Sequence, residues 1–211
     1  MEVKIFTFNP LQENTFVLYD ETGECVIVDP GCFNDIEFEI LDSFIKENKL
    51  RPVKIINTHC HFDHIFGVNR CRNTYDIPWE AHSDDDFLIS SATSQAAMFG
   101  MTMSPTDSAD KHLTETDELV FGTTQLQIIH VPGHSPGSIC FYNENEATLL
   151  AGDVLFKGSI GRTDLPRGDY NTLLSGIKQK ILTLPENTIV YPGHGPDTTI
   201  AFEKARNPFL Q

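Results

Sequence analysis

The segment Thr58-His59-Cys60-His61-Phe62-Asp63-His64 constrains this chain more than any other stretch of it. Three histidines and an aspartate fall within six residues, directly after the apolar run Val53-Lys54-Ile55-Ile56-Asn57. The run reads as a buried strand and the polar cluster behind it as a metal-holding loop. Imidazole and carboxylate together suit zinc, iron or manganese. Four such groups so close in sequence cannot all converge on one small ion. The spacing therefore predicts two metal ions side by side, each completed from elsewhere in the chain.

Three downstream segments offer the completion. His134 stands in Pro132-Gly133-His134-Ser135-Pro136-Gly137, Asp153 in Leu150-Ala151-Gly152-Asp153, and His194 in Tyr191-Pro192-Gly193-His194-Gly195. Each follows a strand-like run, at 126–131, 148–151 and 188–191. Each is flanked by glycine or proline, which end strands and make tight turns. Four strand ends that each present ligands describe a site on the rim of a sheet. His134 or His194 alone reads equally well as an ordinary hydrogen-bonded histidine. The complete set, anchored by the dense first cluster, reads as a metal centre.

The order His59-x-His61-x-Asp63-His64, His134, Asp153, His194 resembles the metal signature of the metallo-β-lactamase fold superfamily. The resemblance runs over nearly the whole chain and includes Gln12-Glu13-Asn14-Thr15, Val28-Asp29-Pro30-Gly31 and Gly158-Ser159-Ile160-Gly161-Arg162-Thr163-Asp164. It implies an α/β fold, an αββα sandwich of two mixed β-sheets flanked by helices with the metal site at the sheet edge. It also implies that His59, His61 and His134 hold one ion, that Asp63, His64 and His194 hold the other, and that Asp153 bridges both. Within the superfamily the chain is similar to the short, single-domain glyoxalase II-like (hydroxyacylglutathione hydrolase-like) proteins. That likeness implies a hydrolase for S-lactoylglutathione or a related acyl thioester. One domain over 1–211 is expected, without the C-terminal helical domain that grips glutathione, because the sequence stops at Phe209-Leu210-Gln211.

The chemistry expected of this ligand set is hydrolytic. Two divalent ions, zinc first and iron or manganese as alternatives, lower the pKa of a shared water toward about 7. The metal-bound hydroxide is then the nucleophile, with Asp63 and Asp153 as the catalytic carboxylates. A thiolate leaves without a strong general acid, which suits a site rich in ligands and poor in spare acids. Two other readings share the resemblance. One is a mononuclear iron persulfide dioxygenase, which would use His59, His134 and Asp153 and has the same Gly161-Arg162-Thr163-Asp164. The other is a lactonase or further hydrolase of the same fold. Retention of every second-site ligand favours hydrolysis over oxidation.

Composition excludes some functions. The formal net charge is −15, from 15 Lys+Arg against 30 Asp+Glu, and no basic cluster offers a footprint for nucleic acid. No apolar run approaches the roughly 20 residues of a membrane span, and the N-terminus reads as a strand and not as a signal peptide. The five cysteines are odd in number and scattered, as expected of reduced thiols in a cytoplasmic protein. Oligomeric state is left open.

Elements follow from periodicity. Strands are expected at 3–8, 15–19, 25–28 and 53–57, with three or four more over 119–150. Asn34 is placed to cap a helix over 35–49 with Ile36, Ile40, Leu41, Phe44 and Ile45 on one face. A helix starting near His64 runs through Val68 and Cys71, another starts at Asp169, and a short one covers 198–206. The weakly patterned stretch 90–112 reads either as a cover over the site, with Met98, Phe99, Met101 and Met103 facing it, or as a core helix over 87–98 followed by a loop. Arg162 either reaches a substrate carboxylate or pairs internally with Asp164. Asp29 is a candidate acceptor for a ligand imidazole, and Thr58 for orienting the loop. Cys60 is expected to pack, Ser135 not to act as a nucleophile, and His82, His112 and His130 to be structural or exposed.

Overall fold

The computed structural model describes all residues, 1–211, and confirms the expected αββα sandwich. The first sheet is built in sequence order from β1 (Glu2–Phe8), β2 (Glu13–Tyr19), β3 (Glu24–Val28), β4 (Arg51–Ile56), β5 (Trp79–Ala81) and β6 (Lys111–His112). The second runs β14-β13-β10-β9-β8-β7, made of β7 (Leu119–Phe121), β8 (Thr124–His130), β9 (Ile139–Asn143), β10 (Thr148–Gly152), β13 (Ile189–Pro192) and β14 (Thr198–Thr199). A small hairpin, β11 (Leu155–Phe156) and β12 (Ser159–Ile160), lies between β10 and the helical end of the chain.

Alternation along the strands sets the layers. In β3, Val26 and Val28 face the space between the sheets, while Cys25 and Ile27 face outward toward helices. In β9 and β10, Phe141 and Leu150 take the inner face and Cys140 and Leu149 the outer. This is the period of two expected of strands buried on both faces. Helices α1 (Asp35–Glu47), α2 (Val68–Tyr75) and α3 (Asp86–Met98) contribute to the outer core of the first sheet. Helix α4 (Tyr170–Gly176), which continues as a π turn over Ile177–Ile181, and α5 (Ile200–Arg206) do the same for the second. No helix is long and apolar enough to cross a membrane.

Three details differ from the sequence expectation, and a fourth decides between its alternatives. In α1 the buried stripe is Phe38, Leu41 and Ile45, whereas Ile36 and Ile40 are 71% and 50% exposed. The sheet covers only a narrow stripe of this helix, so the residues at 36 and 40 fall beside an open hollow and not under the sheet. The helix expected from His64 is broken into a 3₁₀ turn, Phe62–His64, and α2 from Val68, because ligands packed this closely need a tighter turn than an α-helix gives. Residues 198–199 form β14, and Thr199 caps α5 through a hydrogen bond from Phe202 N. Of the two readings of 90–112, the helix followed by a loop is the one observed: the stretch is helical as far as Met98 and irregular from Phe99 to β6, with Met103 buried in the core.

Candidate metal centre

Parallel pairing brings the ligands together. β3 pairs with β4, and β10 with β13, both in parallel. The loops after β4, β10 and β13 therefore open on one edge, and the turn between β8 and β9 joins them there. Asn57, at the end of β4, shapes the first loop. Its Nδ2 donates to the carbonyl oxygens of His59 (3.3 Å) and His64 (2.9 Å), and its Oδ1 accepts from Trp79 Nε1 at 2.8 Å. Gly193 allows the close approach, since a Cβ there would collide with Asp153 Oδ1 and the His64 ring.

The side chains form two groups. The ligand atoms of His59, His61 and His134 lie within 4.8 Å of one another, and so do those of Asp63, His64 and His194. Asp153 spans the two: its Oδ2 is 3.5 Å from His134 Nε2 and 3.8 Å from His194 Nε2, and its Oδ1 is 3.6 Å from His64 Nε2. All seven residues singled out from the sequence thus meet at one place.

The chemistry of these atoms fits metal ions. His59 Nε2, His64 Nε2 and Asp153 Oδ1 are buried with no hydrogen-bond partner, a costly state unless a ligand satisfies them. The opposite ring nitrogens are engaged. His134 Nδ1 donates to Arg162 O at 2.9 Å, His64 Nδ1 to Asp29 Oδ2 at 3.0 Å, and His194 Nδ1 lies 3.1 Å from Leu11 O. His59 Nδ1 lies 3.2 Å from Thr58 Oγ1. These contacts occupy Nδ1 and leave Nε2 of each ring as the nitrogen turned toward the centre, the arrangement a metal-binding imidazole needs once that nitrogen is unprotonated. His61 differs in presenting Nδ1, 2.9 Å from His134 Nε2.

Protonation separates the groups. Burial, with repulsion from the neighbouring imidazoles, holds His59 well below the usual imidazole value and brings His61 down to about 3. Burial also opposes charge on His64, but the carboxylates of Asp63 and Asp153 outweigh it and raise this imidazole well above the usual value. His194 is raised against burial by its hydrogen bond to Asp63, at 3.2 Å, and by Asp153.

Two buried carboxylates brace the loops. Asp29 accepts from Thr58 N, Thr58 Oγ1 and His64 Nδ1, which bears out both Asp29 and Thr58 as orienting residues. Asp85 is not among the residues the sequence marks. It is fully buried and accepts from Cys60 N (3.0 Å), Ser135 Oγ (2.8 Å) and Gly137 N (2.7 Å). It thereby ties the loop of His59 and His61 to the loop of His134. Within Asp84-Asp85-Asp86 it looks like part of a solvated acidic run, and its partners lie 25 to 52 residues away, so no local signal marks it. Glu13 is also fully buried beneath the site, with its Oε1 3.9 Å from His64 Nδ1.

The remaining candidates resolve plainly. Cys60 is core and Ser135 is engaged with Asp85 and Ser138. His82 stacks on His130 with centroids 4.4 Å apart, away from the seven ligands, and His112 pairs with Asp86 at the surface. Arg162 makes a two-pronged ion pair with Asp164, at 2.7 and 2.8 Å. A cleft of about 290 Å³ opens over the ligands, and Arg162 and Gln95 are its only polar lining side chains besides ligands. The larger hollow between β1 and α1 holds no such ligands.

Comparison with known proteins agrees with this geometry. A family model described as the metallo-beta-lactamase superfamily matches residues 8–194. The chain is 36% identical to hydroxyacylglutathione hydrolase GloC of Haemophilus influenzae, over 100% of this chain and 98% of that protein. Among solved structures it is similar to BLEG-1 B3 metallo-beta-lactamase, at 43% identity and TM-score 0.91, with both chains covered in full. It is also similar to TTHA1623 in a di-iron-bound form, at 38% identity and TM-score 0.89 over 99% of this chain and 100% of the other.

Proposed function

From the premise that this chain belongs to the metallo-beta-lactamase superfamily, we propose that it is a binuclear metal-dependent hydrolase that cleaves an acyl thioester. His59, His61 and His134 would hold one ion and Asp63, His64 and His194 the other, with Asp153 placed between the two groups. The observation that carries this reading is the pair of ligand groups joined by one carboxylate, with orphaned buried atoms on His59, His64 and Asp153. When bound, such a pair of divalent ions supplies an acidified water and a Lewis acid for the substrate carbonyl.

The chain's own residues do the rest. Asp29 and the backbone oxygens of Leu11 and Arg162 fix the imidazole orientations. No titratable side chain other than the ligands and Arg162 lines the cleft. A leaving group that needs protonation, such as an amide nitrogen, finds no donor there, whereas a thiolate needs none. The likeness to GloC supports thioester cleavage, and this leaving-group argument ranks it above the lactam cleavage that the likeness to BLEG-1 raises. Oxidation at a single iron would use His59, His134 and Asp153 and give the gathered Asp63, His64 and His194 no task. Zinc is the first expectation for both ions, and the di-iron form of TTHA1623 supports iron as the alternative.

A small-molecule substrate fits a chain of net charge −15, which repels polyanions. Five unpaired, buried cysteines fit a reducing, cytoplasmic setting. The test is metal analysis of protein purified without added metal, with thioester hydrolysis and persulfide-dependent oxygen uptake assayed side by side. About two metals per chain with thioesterase activity supports the reading. One iron with oxygen uptake replaces it.

A further inference from the structure

The cleft over the ligands carries information about the part of the substrate next to the scissile carbonyl. Phe62, between the ligands His61 and Asp63, lies with its ring centroid 5.1 Å from that of Phe99. Phe99 is 52% exposed and Met98 77% exposed, both at the end of α3, where they line the cleft. Leu11, Leu165 and Pro166 complete the apolar wall. Large apolar side chains gathered in a concave site and left open to water mark a binding surface.

Charge narrows the choice. Arg162 is the one cation lining the cleft, and both prongs of its guanidinium are taken by Asp164. The other charged groups facing the cleft are Asp63, Asp153 and the ligand imidazoles. A substrate with carboxylates remote from the scissile bond meets no free cation here.

We propose that the enzyme acts on thioesters whose acyl group is an uncharged apolar chain, lodged against Phe62, Met98 and Phe99, with Phe99 setting chain-length specificity. This rests on the thioesterase reading above. A cleft of about 290 Å³ is at the small end of small-molecule sites, which suits acyl groups of about four to eight carbons. The reaction consumes one water. Its oxygen forms the new C–O bond, and the C–S bond breaks with its electron pair on sulfur. One proton ends on the thiol and the other in solvent.

The test uses the full-length, metal-loaded protein and a series of acyl thioesters of the uncharged thiol N-acetylcysteamine, from acetyl to octanoyl, beside S-lactoylglutathione. The expected result is a kcat/KM that rises about threefold to fourfold per methylene up to hexanoyl and exceeds that for S-lactoylglutathione. Phe99→Ala should lower the hexanoyl value by about tenfold, chiefly through KM, and the acetyl value far less. Asp164→Asn should free Arg162 and lower KM for S-lactoylglutathione relative to the uncharged series. A flat chain-length series, a preference for S-lactoylglutathione, or an equal loss on all substrates in Phe99→Ala overturns the proposal while leaving the hydrolase reading in place. If the two-metal protein cleaves no thioester, the thioesterase reading falls, and calorimetric titration with hexanoate against acetate decides the cleft separately. Tighter hexanoate binding that is lost in Phe99→Ala keeps the apolar-chain assignment, and equal binding removes it.

Discussion

The two ligand groups share Asp153 and lie a few ångströms apart, yet they are built differently. His59, His61 and His134 are all buried, are held neutral or uncharged by burial where a shift is resolved, and come from two loops fastened together by Asp85. The second group includes His194, whose side chain is 26% exposed, and it carries the carboxylate of Asp63 beside imidazoles that favour the proton. In the metal-free protein the first group offers open lone pairs, and the second holds protons where a cation would sit. The first position should therefore bind metal more tightly, and the second should exchange protons for it.

The largest effect should come from the residue that belongs to both groups. Asp153→Ala should weaken both ions and lower activity by on the order of a thousandfold, as read by metal analysis and thioester turnover together. Single-ligand changes should then split the groups. His194→Ala should lose chiefly the second ion and keep the first, whereas His134→Ala should weaken the first. Equal metal loss in the two variants would erase the distinction.

The bracing carboxylates should follow the same division at lower amplitude. Asp85→Asn should weaken the first position alone, whereas Asp29→Asn, which touches His64 directly and His59 through Thr58, should weaken the second more than the first, each by about 10–100-fold in metal affinity, measured by competition with a chelator. Asp85→Ala should also destabilise the metal-free fold, because the N–H groups of Cys60 and Gly137 would be left buried and unpaired at a cost of about 1–3 kcal/mol each.

Acid should separate the groups too. His64 and His194 have raised values, so protons already compete at neutral pH, and acidification should empty the second position first. In the metal-free protein the signs are opposite. Stability from the depressed His59 and His61 is present above pH of about 6.5 and is lost as pH falls toward the His61 value of about 3. Stability from the raised pair is present below about 6.5 and fades as pH rises through their raised values. Metal retention and melting temperature measured across this window check both statements. The smallest effect is expected of Arg162→Ala: its side-chain ion pair is exposed and screened by solvent, and it is the Arg162 backbone oxygen that holds His134.

Legibility in the sequence follows the same contrast. The gathering of all seven candidate ligands could be read because dense histidines and Gly/Pro-flanked strand ends are local patterns. Asp29 could be suspected because it directly follows a strand. Asp85 could not, since only the packed fold brings an acidic run against Cys60 and Gly137. The face of α1 differs from the expected one for a related reason. Periodicity offers two overlapping apolar stripes, and the sheet selects Phe38, Leu41 and Ile45 over Ile36 and Ile40. Residues 90–112 divide at Met98, where helix periodicity ends and exposed apolar side chains begin to line the cleft.

The central claim is that two unequal metal positions share Asp153. Titration of metal-free protein with cobalt(II), following absorbance and proton release together, tests it most directly. The account predicts two binding events, a tighter one with little proton release and a weaker one that releases protons and disappears in His194→Ala. Saturation at one equivalent, unchanged in His194→Ala, would contradict it.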